Sequence, residues 1–116
     1  MPDKVYRTAI YCRLSREDGD KVESNSIAIQ RAICEDYIAR HEAVELVCEP
    51  LVDDGYSGVS INRPQFKKLE EAIRKGALDC IVVKDLSRFS RNYIDGGRYI
   101  EKIFPQLGIR FIAIND

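Results

Sequence analysis

A serine and several cationic side chains follow the apolar runs of this 116-residue sequence. The first run, residues 8–12, leads directly into Arg13 and Ser15. The polar residues that follow the second and third runs are Asp53, Asp54, Ser57, Arg63, Lys84, Asp85, Ser87, Arg88 and Arg91. Ligands of a parallel α/β sheet bind outside the carboxyl ends of its strands. If the runs are parallel strands, we therefore expect one serine and several cations to gather at one edge of the sheet.

Such a cluster of cations predicts a bound anion. Like charges repel, so gathering arginines does not help folding by itself. The planar guanidinium group matches the geometry of phosphate oxygens and keeps its proton. A serine hydroxyl among arginines suits nucleophilic attack at phosphorus, because the cations hold the substrate and stabilise charge on the phosphoryl oxygens. A metal ion is not required if arginine supplies that stabilisation.

The elements that position these residues alternate between strand and helix. Short apolar runs predict buried strands at residues 8–12, 44–52, 79–83 and 109–114. A helix is predicted over residues 27–40 with Ser26 as its N-cap, and a second begins near Pro64 and stops at Gly76. A third helix carries Phe104 and ends at Gly108, and residues 53–58 are predicted as a loop.

This order predicts the fold class. Strands that alternate with helices favour a mostly parallel sheet covered on both faces. The expected architecture is a three-layer α/β/α domain that comprises residues 1–116.

Composition limits the function classes. The net charge of −1 gives no overall field that would attract a polyanion, so DNA binding would need a local basic cluster or another segment. Four cysteines without a C-x-x-C pair, together with a single histidine, argue against a zinc site. The sequence has no long apolar stretch and no signal-peptide pattern, which predicts a cytoplasmic protein without a membrane partner.

Four segments resemble motifs of the serine recombinases, the family of resolvases, invertases and large serine integrases. Residues 11–15 resemble its Y-x-R-x-S motif, and residues 26–30 its S-x-x-x-Q segment. Residues 53–64 are similar to its D-x-G-x-S-G…R-P stretch, and residues 79–92 resemble the third-strand motif that ends in L-x-R-x-x-R. The four motifs occur in order and cover most of the chain. The resemblance implies a resolvase-like fold.

The resemblance also assigns roles to single residues. It implies that Ser15 is the nucleophile that forms a 5′-phosphoserine link to DNA and frees a 3′-hydroxyl. The implied phosphate-binding and active-site arginines are Arg13, Arg63, Arg88 and Arg91. The implied supporting residues are Gln30, Asp53 and Asp79. Lys84 is added as a further supporting residue, because it directly follows the third predicted strand. Strand exchange would follow by rotation of half of a tetramer, with religation that needs no cofactor, ATP or metal.

Some features differ from the small resolvases. The segment 16–25 is longer and more acidic, which resembles the large serine recombinases of transposons and prophages. Ser87 stands where small members often carry aspartate, and Ala72 near the place of a lysine. No residue is identified as the general base, and His41 is expected on the far side of the first helix.

The family places its oligomerisation helix and DNA-binding domains after this region. We therefore expect residues 1–116 to be a truncated catalytic domain that binds DNA weakly and does not recombine it alone. Double-stranded DNA would be bound through the full-length protein, which would act as a homodimer and tetramer.

Three alternatives remain at this point. A receiver-type signalling domain has the same alternation, but it needs acidic residues where Arg13 and Ser15 follow the first strand. A small-molecule phosphate or nucleotide binder would ordinarily carry a glycine-rich loop, which this sequence lacks. The third alternative is an inactive oligomerisation module with the same fold, and the complete set of motifs argues against it.

Overall fold

The computed structural model describes residues 5–15, 26–55, 64–85 and 102–115. Within these ranges the strands are β1 (Tyr6–Ser15), β2 (Val44–Leu46), β3 (Leu51–Gly55), β4 (Cys80–Val83) and β5 (Arg110–Ala113). The helices are α1 (Ile27–Arg40), α2 (Pro64–Arg74) and the short α3 (Phe104–Leu107).

All strand pairs in the described sheet are parallel. The order is β2-β1-β4-β5, and β3 also pairs with β1. β2 pairs with the first part of β1, where Tyr6 lies opposite Val44, and β3 pairs with the last part, where Arg13 lies opposite Asp53. β1 is therefore the long central strand on which the domain is built.

Two apolar clusters cover the two faces of the sheet. On one face, Tyr11 of β1 and Ile81 of β4 pack with Leu69 of α2 and Phe104 of α3. The opposite face carries Cys12 of β1 and Val82 of β4, which belong to one cluster with Cys34 of α1. This alternation along β1 and β4 is the two-residue period of a strand covered on both sides. The predicted three-layer α/β/α fold is confirmed.

The predicted helix boundaries are confirmed where the structure describes them. The Ser26 hydroxyl accepts a hydrogen bond from the Ile29 N–H at 3.2 Å and so caps α1. Gly76 and Gly108 follow α2 and α3 with φ of 75° and 72°, the left-handed conformation that glycine adopts without steric cost. Most of the third predicted helix lies outside the described residues.

The strand boundaries correct two predictions. β1 does not stop at Cys12 but continues to Ser15, and Asp53–Gly55 belong to β3 rather than to a loop. Each extension has the same cause, because residues 11–15 and 51–55 pair with one another. Backbone hydrogen bonds require no apolar side chains, so polar residues continue both strands. The second predicted strand is also divided into β2 and β3 by residues 47–50.

Candidate active site

Arg13 lies in the last part of β1 and is held there through its backbone. The Arg13 N–H donates to Oε1 of Gln30 at 3.0 Å, and Nε2 of Gln30 donates to the Arg13 carbonyl at 2.9 Å. Gln30 is completely buried and Arg13 is 8% exposed. The carboxamide of Gln30 thus forms hydrogen bonds with both the backbone N–H and the carbonyl of Arg13, as a neighbouring strand would.

The alternation of β1 shows which side of the strand Gln30 occupies. The Arg7 carbonyl accepts from the Asp79 N–H, just before β4, and the Thr8 carbonyl accepts from the Val47 N–H on the side of β2. Odd-numbered residues of β1 therefore direct their peptide groups towards β4, and Arg13 is one of them. Among the described residues, the pairing of β1 with β4 ends at Ile10. Gln30 takes the position of a strand partner beyond that point.

Asp53 lies opposite Arg13 in β3 and binds the start of α2. Its Oδ1 accepts from the Gln65 N–H at 3.0 Å, and its Oδ2 accepts from the Phe66 N–H at 3.0 Å. Oδ2 also accepts from the Tyr11 hydroxyl at 2.8 Å. With 6% exposure, the carboxylate is a buried connection between β1, β3 and α2.

Lys84 directly follows β4 and is paired with a neighbouring acid. Its Nζ lies 3.0 Å from Oδ2 of Asp85, and the two side chains are 14% and 20% exposed. The sequence predicted that Lys84 is one of the cations at the carboxyl edge of the sheet. The structure places it directly after the end of β4, with part of its charge balanced by Asp85.

Asp79 lies at the other end of β4 from Lys84. Arg7 donates to it from Nε at 2.8 Å and from Nη2 at 3.0 Å, and the Arg7 N–H donates to it at 3.1 Å. The hydrogen bonds and charge of Asp79 raise the pKa of Arg7 above its ordinary value. The structure therefore connects Asp79 to the start of β1 and does not bring it to the edge at which β1 ends.

The structure places the backbone of Ser15 at the end of β1, opposite Gly55 of β3. Ser15 follows Arg13 by two residues, and both therefore belong to the segment that Gln30 and β3 hold. Arg63, Arg88 and Arg91 lie outside the described residues.

Tyr11 is a residue of this region that the sequence analysis did not single out for a role. It is completely buried, its ring packs edge-on against Phe66 with centroids 5.7 Å apart, and its hydroxyl binds Asp53. The sequence did contain a signal for this role. Tyr11 lies within an apolar run that predicts a buried strand, and a buried tyrosine needs a hydrogen-bond partner for its hydroxyl group.

The structure identifies no metal centre and no membrane span among the residues it describes. No group of three or more His, Cys, Asp or Glu side chains in those ranges is arranged to hold a metal ion. None of the described helices has the length and apolar character needed to cross a bilayer.

The fold and the residues at its strand ends define a class, the α/β domains of the resolvase type. The family model described as the resolvase N-terminal domain matches residues 8–116, which is nearly the whole chain. This chain therefore belongs to the resolvase family, whose members are serine recombinases that carry out site-specific recombination.

Solved structures agree with this assignment. The N-terminal catalytic domain of TP901-1 integrase is 28% identical, with a TM-score of 0.75, over 94% of this chain and 77% of that one. A resolvase family site-specific recombinase from Streptococcus pneumoniae is also 28% identical, with a TM-score of 0.77, over 97% of this chain and 74% of that one.

A more distant structure shares the fold. The C-terminal catalytic domain of ISC1926 TnpA, an IS607-like serine recombinase, has a TM-score of 0.67 at 23% identity, over 95% of this chain and 70% of that one. No curated protein matches this sequence.

Proposed function

We propose that this domain cleaves and rejoins DNA with Ser15 as its nucleophile. In this reaction the serine oxygen attacks the scissile phosphorus, the bond from phosphorus to the 3′-oxygen breaks, and a 5′-phosphoserine forms. The serine proton leaves to a base, and the departing 3′-oxygen takes up a proton. Religation is the reverse attack by a 3′-hydroxyl, so the phosphoserine ester retains the energy that rejoining needs.

This proposal depends on one observation: the end of β1 is fixed in place by its pairing with β3 and by the Gln30 side chain. Ser15 is the last residue of the strand, two residues after a buried arginine whose backbone Gln30 binds on both polar groups. A nucleophile must be presented in a fixed geometry, because small displacements of the reacting atoms slow a reaction strongly. A strand supported by β3 and by a buried side chain provides such rigidity.

Cationic side chains complete the proposed site. Arg13, Arg88 and Arg91 bind the scissile phosphate and stabilise the charge that develops on its oxygens, and Arg63 contributes a further contact. Gln30 and Asp53 support β1, the strand that carries both Arg13 and Ser15. We assign Lys84 to the surroundings of the phosphate and Asp79 to the stability of the fold.

The wider activity is that of a recombinase of a mobile element. We propose that the domain acts within a longer protein whose other regions bind double-stranded DNA and form the homodimer and tetramer. The net charge of −1 supports this, since affinity for DNA comes largely from cations that replace its counterions.

A suicide DNA substrate tests the nucleophile. The full-length recombinase should form a covalent protein–DNA complex on a nicked recombination site, from which the cleaved strand cannot be religated. Ser15→Ala should form none, because the proposed mechanism has no other nucleophile. Asp36→Ala, at an exposed acid of α1 that has no role in the proposed site, is the control and should still trap DNA. Trapping by Ser15→Ala would remove Ser15 from its role.

A further inference from the structure

The start of α2 is capped from another strand. An N-cap side chain ordinarily accepts the N–H groups of the second and third helical residues. In α2 these are Gln65 and Phe66, and both donate to Asp53, which lies more than ten residues earlier in the chain. Pro64, the first helical residue, has no N–H to satisfy.

The residue that precedes Pro64 cannot provide this cap itself. It is Arg63, and the guanidinium group has only donors. The helix dipole also favours a negative charge at a helix N-terminus, and arginine does not supply one. The buried carboxylate of Asp53 compensates both effects, because it accepts the free N–H groups and carries the opposite charge.

Tyr11 fixes the direction of that carboxylate. Its hydroxyl donates to the same oxygen, Oδ2, that accepts from Phe66, and its ring packs against the Phe66 ring. Tyr11 lies two residues before Arg13 in β1 and has no solvent exposure. The start of α2 is thus attached to the strand that ends at Ser15.

We propose that Asp53, oriented by Tyr11, is a positioning residue for Arg63. It caps α2 from β3 so that the residue before the helix can be an arginine, and it fixes the helix start relative to β1. This inference rests on the proposed function of Arg63 as an active-site residue. Asp53 takes no part in proton transfer under this proposal, because its effect depends on accepting hydrogen bonds and not on gaining or losing a proton.

The test measures cleavage of the suicide substrate and thermal unfolding of the full-length recombinase in parallel. Asp53→Ala removes the cap and should slow cleavage roughly 100-fold, as expected for lost hydrogen bonds to a charged group. Asp53→Asn keeps one acceptor oxygen but places its amide NH2 group opposite a backbone N–H donor, and it should recover only part of the rate. Asp36→Ala, at an exposed acid of α1, is the matched control and should cleave like the wild type.

A double substitution separates positioning from stability. Arg63→Ser places a local N-cap before α2 and removes the proposed active-site cation. We expect Asp53→Ala to lower the melting temperature less in the Arg63→Ser background than in the wild type. We also expect it to cause no further loss of cleavage rate there, because a residue that acts through Arg63 has no effect once Arg63 is absent.

Two results would overturn the proposal. One is a folded Asp53→Ala variant that cleaves at the wild-type rate, which would show that the cap of α2 does not position an active-site residue. The other is an equal loss of rate from Asp53→Ala in both backgrounds, which would indicate an action independent of Arg63. If Asp53→Ala does not fold, Tyr11→Phe carries the same comparison, since it removes one hydrogen bond and keeps the ring. Covalent trapping by Ser15→Ala would instead contradict the proposed function.

Discussion

The Gln30 side chain binds the backbone of Arg13 as a neighbouring strand would, with hydrogen bonds of 3.0 and 2.9 Å to its N–H and carbonyl groups. In the part of the chain that the structure describes, the pairing of β1 with β4 ends three residues earlier, at Ile10. α1 therefore contributes more than apolar cover to this face of the sheet. It completes the hydrogen bonding of β1 in the segment that leads to Ser15.

Loss of this carboxamide should destabilise the domain. Gln30→Met has nearly the same size but leaves the Arg13 N–H and carbonyl buried without these partners. Each unsatisfied group costs about 1–3 kcal/mol, so we expect the two together to lower the free energy of unfolding by about 2–6 kcal/mol. Urea denaturation measures the change. Gln106→Met, at an exposed glutamine of α3, is the control, and equal losses in the two variants would contradict the role of Gln30.

Asp79 should support the fold and not the reaction. Its pair with Arg7 lies at the start of β1 and is partly exposed, with 48% for Arg7 and 19% for Asp79. Asp79→Asn should therefore lower the free energy of unfolding by about 1 kcal/mol or less, and high salt should reduce the difference. Cleavage of a suicide substrate by the full-length recombinase should not change. A clear loss of cleavage by a folded Asp79→Asn protein would return Asp79 to the active site.

The layers of the fold could be predicted because their signals are local. The left-handed glycine Gly108, the N-cap Ser26 and the apolar runs each depend on a few neighbouring residues. The full length of β1 could not be predicted this way. Arg13 and Ser15 end the apolar run, yet the backbone continues as a strand because β3 pairs with it.

The site was less predictable because its contacts are distant in sequence. Gln30 falls within the helical stripe that predicted α1, but spacing alone does not show that its amide returns to Arg13. Asp53 stands beside a second aspartate and a glycine, a composition that predicted a loop. Only the fold brings its carboxylate to the start of α2. The family resemblance identified both positions and did not supply these contacts.

Substitution of Arg88 or Arg91 should slow the chemical step. Under the proposed mechanism each contributes one preorganised charge contact to the phosphate, so Arg88→Ala and Arg91→Ala should each slow cleavage by roughly two orders of magnitude or more. Lysine at either position keeps the charge but lacks the planar fork, and it should recover only part of the rate. Arg40→Ala, at an exposed i,i+4 pair of α1, is the control. Rates within experimental error of the wild type would exclude the arginine from the site.

The buried thiols of the sheet and α1 should make stability depend on alkaline pH. Burial raises the pKa of Cys12 to about 11 and that of Cys34 to about 12, from an ordinary value of 9.0. The folded state therefore keeps protons that the unfolded state loses. The stabilisation is complete below pH 9.0 and is lost as pH rises through the folded-state pKa values. Each thiol contributes a slope of at most about 1.4 kcal/mol per pH unit within that window.

Urea denaturation across this alkaline range measures the effect. Tyrosine and lysine titrate in the same range, so the informative quantity is the difference in slope between the wild type and Cys34→Ala. The variant should start less stable, because a buried side chain is truncated, and should then lose stability more slowly with rising pH. Cys48→Ala is the control, since Cys48 is exposed and should affect the slope less. Parallel curves for the wild type and Cys34→Ala would show that the Cys34 thiol does not titrate differently in the two states.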